Sequence, residues 1–99
     1  MIRLSAAAEA QLFALTDHYA ERGRDGAIDL LTIRIQAACA RYVAGLGLFY
    51  AAPRPYPGLA GLGFRWTKEG PYWIAFQTTD TGPVVAGVFH EAADIPNRL

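Results

Sequence analysis

The chain has 99 residues, nine basic and nine acidic side chains, one cysteine and 53% hydrophobic content. That length suits one domain with one core, the balanced charge argues against a protein that lives on nucleic acid through a broad positive field, and a lone Cys39 excludes an internal disulfide and a cysteine-built metal site. No apolar run approaches the ~20 residues of a membrane span and the N-terminus lacks the basic and apolar regions of a secretory signal, so a cytoplasmic protein without membrane contact is expected.

Taken in order, Met1-Ile-Arg-Leu4 reads as a short edge strand with Ile2 and Leu4 inward. Ser5 then stands where a helix N-cap belongs, with Glu9 in the first turns to suit the helix dipole. Ala8, Leu12, Leu15 and Tyr19 recur at helical steps and share one face. Gly23 is the expected stop and Arg24-Asp25 the restart. A second, longer helix follows: Ile28, Leu31, Ile35, Ala38, Tyr42 and Leu46 form its apolar stripe, and Leu30, Ile33 and Val43 widen it. Gly45 and Gly47 end it. Two such helices with a short link form an antiparallel hairpin that needs a sheet to cover.

From Gly47 to Gly63 prolines and glycines dominate, which predicts an extended surface loop without helix or ladder strand of its own. Gly63-Phe-Arg-Trp-Thr-Lys68 resumes a strand and Glu69-Gly70 turns it. The runs Tyr72–Thr79 and Pro83–His90, joined through Asp80-Thr-Gly82, read as an antiparallel hairpin. Tyr72, Ile74, Phe76 and Thr78 share one pleat face; Val84, Ala86, Val88 and His90 share another. Both faces of the hairpin are apolar, which predicts a strand pair covered on both sides. The expected fold is α+β: a short N-terminal strand, a helical hairpin, then a three-stranded antiparallel sheet, in one domain over residues 1–99.

The pattern Gly63-Phe-Arg65, Tyr72-Trp-Ile-Ala-Phe76, Val84-Val-Ala-Gly-Val-Phe-His90 and Asp94-Ile95 resembles the ParE/RelE superfamily of toxins from type II toxin–antitoxin modules, the ParE-like branch in particular. The likeness spans the chain and is strongest in the last thirty residues. It implies a toxin held by a cognate antitoxin, ParD-like or another operon neighbour, in a hetero-oligomer. ParE-like members inhibit DNA gyrase by binding it; RelE-like members cut mRNA in the ribosome. A third outcome is a silent member that binds only antitoxin. Neither branch calls for a cofactor, and no sequence-specific DNA contact is expected of this chain.

Cutting RNA by its 2′-hydroxyl needs a base, a cation for the phosphate and an acid for the leaving oxygen. Arg65, Lys68 and His90 are the first candidates, with Arg54 and Tyr72 behind them. The neutral charge and the run Glu91-Ala-Ala93 after His90 weigh against the nuclease, so an enzyme ranks below a gyrase-binding inhibitor. Ala92 and Ala93 stand where many ParE-like chains carry arginines, which leaves His90, Asp94, Ile95, Arg98 and Leu99, with Arg54 and Tyr56 of the proline-rich loop, as target contacts. For Asp94 and Ile95 the plainer role is to cap a terminal turn and to pack on the sheet. Trp66, Trp73 and Phe89 are candidate antitoxin contacts, because bulky apolar residues on both faces of the strands need a second chain where the helices do not cover them, and Leu15 and Tyr19 of the first helix join them as candidates. His18 and His90 lie on different elements without companion ligands, so no metal site is expected; His18 reads as a helix-boundary residue.

Overall fold

The computed structural model describes residues 2–99, and Met1 of the expected N-terminal strand lies outside them. The order is β1 (Arg3–Leu4), α1 (Ala6–Glu21), α2 (Asp25–Ala44), β2 (Arg65–Glu69), β3 (Tyr72–Thr79) and β4 (Gly82–His90). Short 3-10 helices at Pro57–Leu62 and Ile95–Arg98 flank the last three strands. The sheet runs β1-β4-β3-β2. β2, β3 and β4 pair antiparallel, whereas β1 joins β4 in parallel, so the fold is α+β with a mixed four-stranded sheet.

Local chemistry sets the helix ends. Ser5 is extended, its Oγ accepts from the Ala8 N–H at 3.0 Å, and its own N–H donates to the Val85 carbonyl at 2.9 Å. One residue therefore caps α1 and pins its start to β4. α2 ends at Gly45, whose φ of 70° is the left-handed cap that glycine adopts without a side-chain clash.

Ala8, Tyr19, Leu31, Ile35 and Ala38 of the helices bury against Tyr72, Ile74, Phe76, Val85 and Val88 of the sheet. The face assignment of the last strand needs correction. A bulge beside Ala75 and Phe76 sets Phe76 against Val85 and Ala75 against Gly87, leaving Ala86 unpaired between them. The inserted residue shifts the two-residue alternation. Val85 and Val88 thus both face the helices, while Ala86 turns to the other side.

That other side carries a second core. Trp66, Trp73, Ala75, Phe89 and Ile95 are buried there, with Tyr50, Tyr56, Leu59 and Phe64 packed around them. The segment after α2 runs mostly over the surface, as expected, but it is not extended throughout and it sends side chains into this core. It bridges to β2 through Tyr50 and Trp66, each N–H donating to the other's carbonyl at 2.7 Å, then winds through the Pro57–Leu62 turn. Pro53 is fully buried. Three aromatic rings offer this backbone more contact than water does, and they draw it down.

The expected α2 stripe also narrows. Leu31, Ile35 and Ala38 are buried, but Leu46 is 64% exposed, and Leu30, Ile33 and Val43 face solvent. Phe13 of α1 is 71% exposed. The large apolar side chains this chain leaves open lie on the helices (Phe13, Leu30, Ile33, Val43) and on the segments outside them (Leu46, Leu48, Leu62, Leu99), and none is on a sheet strand. No helix among the described residues is long and apolar enough to cross a membrane.

Candidate functional site

A cleft of about 680 Å³ lies between α1 and the end of β4, with the tail after β4 as its third wall. Helix α1 supplies Gln11, Leu15, His18 and Tyr19, β4 supplies Val88 and His90, and Arg24 and Arg98 stand at the rim. Because β1 pairs with β4 only at Val84 and Val85, the rest of that β4 edge has no strand beside it. Gln11 fills in: its Oε1 accepts the Val88 N–H at 2.9 Å, as a neighbouring strand's carbonyl would.

Four rings form a chain beside the cleft, and three of them, His18, Tyr19 and His90, line it. His18 meets Tyr19 edge-on at 5.7 Å, the Tyr19 and Tyr72 hydroxyls lie 2.5 Å apart, and Tyr72 meets His90 edge-on at 5.7 Å. Arg24 sits 5.2 Å above the Tyr19 ring, within cation–π range. Burial foremost, and then the bond to Tyr19, pushes the Tyr72 phenol above its ordinary range. His90 Nδ1 accepts from the Ala92 N–H at 3.1 Å, and His18 Nδ1 lies 3.0 Å from the Arg22 guanidinium, which can only donate. In the neutral rings the proton then belongs on Nε2.

The candidate residues fall into three groups. His90, Arg98, Leu15 and Tyr19, assigned to different partners by sequence, meet in this one cleft together with Ala92 and Ala93. Trp66, Trp73 and Phe89 are enclosed by the chain's own loop and tail, so they offer no open face to an antitoxin. Tyr19 is likewise buried, beneath the cleft rather than on an outer face. Ile95 is fully buried in the second core and withdrawn from target contact. Asp94 opens the terminal turn, its carboxylate accepting from the Asn97 side chain at 2.5 Å. Tyr56 leans on the second core and donates to the Ala93 carbonyl at 3.3 Å, whereas Arg54 and Leu99 are exposed.

The nuclease set does not converge. Cross-strand partners share a face: Lys68 pairs with Trp73 on the second-core side, while Arg65 pairs with Phe76 and His90 with Tyr72 on the helix side. Arg65 is four strand positions from the His90 row, about 13 Å along the sheet. Lys68 is also committed to Glu91, 2.6 Å away.

Cys39 is half-buried, its thiol pushed up by burial, and lines an apolar groove of about 520 Å³ between α2 and β1 with Leu4, Ile35 and Val43. No group of three metal-ligating side chains occurs among the described residues. Sequence reasoning missed His18 and Arg24. The only local signal was their place beside Tyr19 at the end of the buried helix face.

Comparison with family models, with curated proteins and with solved structures finds no match to this chain.

Proposed function

We propose that this chain is the toxin of a type II toxin–antitoxin module and acts by binding protein, with DNA gyrase as its target. The observation that carries the protein-binding reading is the scatter of Arg65, Lys68 and His90 over both sheet faces, which leaves the ribonuclease without an assembled acid, base and phosphate clamp. A β-α-α-β-β-β order supports the likeness to ParE-like toxins. The antitoxin contact moves from the sheet to the helical hairpin, where Phe13, Leu30, Ile33 and Val43 stand exposed. An amphipathic helix of the antitoxin would cover such a surface. Target contact falls to Arg54, His90 and Arg98.

Induced expression in a bacterium tests the reading, with plasmid supercoiling and gyrase-dependent DNA breaks compared against transcript integrity. Growth arrest with broken DNA and intact transcripts supports it. Rapid transcript cleavage reverses it in favour of the nuclease, and growth without either lesion removes the toxin assignment. Co-expression with the operon neighbour should relieve the arrest, and an antitoxin contact on the helices predicts that Ile33→Asp weakens that relief.

A further inference from the structure

The α1–β4 cleft contains His90 and Arg98, which the toxin reading gives to the target, and it has a chemical character of its own. Its polar side chains are donors. Arg24 and Arg98 carry guanidinium groups, and no carboxylate lines the cleft. Gln11 has spent its carbonyl oxygen on Val88, leaving its NH₂. His18 and His90 have each engaged Nδ1 as an acceptor, leaving Nε2–H. Neither rim arginine is neutralised, since the ion pairs among the described residues are Arg41–Glu69 and Lys68–Glu91. Cleft walls that give hydrogen bonds and take few select a ligand rich in acceptors and in negative charge.

Size and charge narrow the choice. A cleft of about 680 Å³ is within the range of small-ligand sites. A polynucleotide needs a track of cations along its backbone, whereas this neutral chain places only two arginines, Arg24 and Arg98, in the cleft lining. A carboxylate has two oxygens to fill, while a phosphate monoester has three terminal ones and suits two guanidinium groups and two imidazoles better. Leu15, Val88, Ala92 and Ala93 add apolar wall for the rest of a molecule.

We propose that the α1–β4 cleft binds a small organic phosphate, held by Arg24, Arg98, His18 and His90, with its less polar body against Leu15, Val88 and Ala92. This site is independent of the toxin reading. It can exist in a chain that arrests no cell.

Titration calorimetry and imidazole proton NMR on the full chain test it, using inorganic phosphate, a nucleoside 5′-monophosphate, the same nucleoside without phosphate, and a short single-stranded RNA. The expected result is saturable binding of the monophosphate, weaker binding of inorganic phosphate and none of the nucleoside, with the His18 and His90 resonances moving together. Arg24→Ala with Arg98→Ala should weaken the monophosphate by about tenfold or more through loss of charge-assisted bonds, while Arg65→Ala, outside the cleft, leaves it unchanged. Should the double variant fold poorly by circular dichroism, Arg98→Glu alone, on the exposed tail, must produce the loss. Equal binding of nucleoside and monophosphate, no binding at millimolar phosphate, or tighter binding of the RNA through the same arginines would overturn the proposal.

Discussion

The hydroxyls of Tyr19 and Tyr72 meet at 2.5 Å, the only side-chain hydrogen bond that ties α1 to β3 among the described residues. Both rings are buried, so each hydroxyl depends on the other for a partner. Tyr19→Phe and Tyr72→Phe should each cost about 1–2 kcal/mol, because each leaves the opposite hydroxyl unpaired. The double variant should cost less than the two losses together, since it removes both groups and orphans neither. Urea unfolding of the four proteins measures the cycle. Strict additivity would show that the hydroxyls do not interact.

The same pair predicts behaviour in alkali. The folded pKa of Tyr72 is raised above its ordinary 10.0 by burial first and the Tyr19 bond second. A raised folded value means that this contribution to stability is complete below pH 10.0 and is lost as pH climbs from there toward the folded value. Wild type should therefore lose stability above that point faster than Tyr72→Phe. Denaturation midpoints across the alkaline range read the difference in slope.

Trp66 is fully buried in the second core, yet its indole Nε1–H has no acceptor among the described residues. An orphaned buried donor costs about 1–3 kcal/mol. Trp66→Phe should accordingly be mild, within about 1 kcal/mol, since it removes the orphan while keeping an aromatic ring against Phe89. Trp66→Ala opens a cavity and should cost about 3–5 kcal/mol. Thermal unfolding separates the two. Equal, severe losses would mean that the indole nitrogen is satisfied after all.

Those outcomes bear on what could be read before the fold was seen. Ser5, Gly45 and the two strand turns act through neighbours a few residues away, and they were legible because their chemistry is local. The second core was not. Its cover comes from Tyr50, Tyr56 and Leu59, whose proline- and glycine-rich setting has no periodicity to betray a buried face, and the bulge at Ala86 depends on pairing across two strands. The cleft was the least legible part. His18 and His90 line one cleft only because α1 packs on β4, a tertiary relationship that leaves no spacing pattern behind.

Lys68 and Glu91 fix the tail to β2 from the surface, with Lys68 Nζ 2.6 Å from the carboxylate and 5.6 Å from the Trp73 ring centre. The lysine's hydrogen bond, reinforced by its charge, holds the Glu91 carboxyl below its ordinary 4.5. A lowered folded value gives a contribution that is present above the unfolded pKa and is lost as pH falls through the folded one. Lys68→Ala should raise the Glu91 titration toward the ordinary value in a carbon-detected NMR titration, with little change in unfolding temperature at neutral pH, because exposed pairs are screened. An unmoved Glu91 would detach the shift from Lys68.

Gly70 closes the turn between β2 and β3 with φ of 58°, a conformation that a side chain resists. A β-carbon there would also collide with the Arg34 guanidinium. Two costs are therefore superimposed in Gly70→Ala, and they differ in how they can be relieved. The left-handed backbone is fixed by the turn and costs about 1–2 kcal/mol, whereas the arginine is the far end of a flexible side chain and can swing aside. Combining Gly70→Ala with Arg34→Ala should thus recover little stability, and Gly70→Asn should cost less than Gly70→Ala because asparagine tolerates this conformation better. Urea unfolding of these variants decides the matter: full rescue by Arg34→Ala would assign the cost to crowding and clear the backbone.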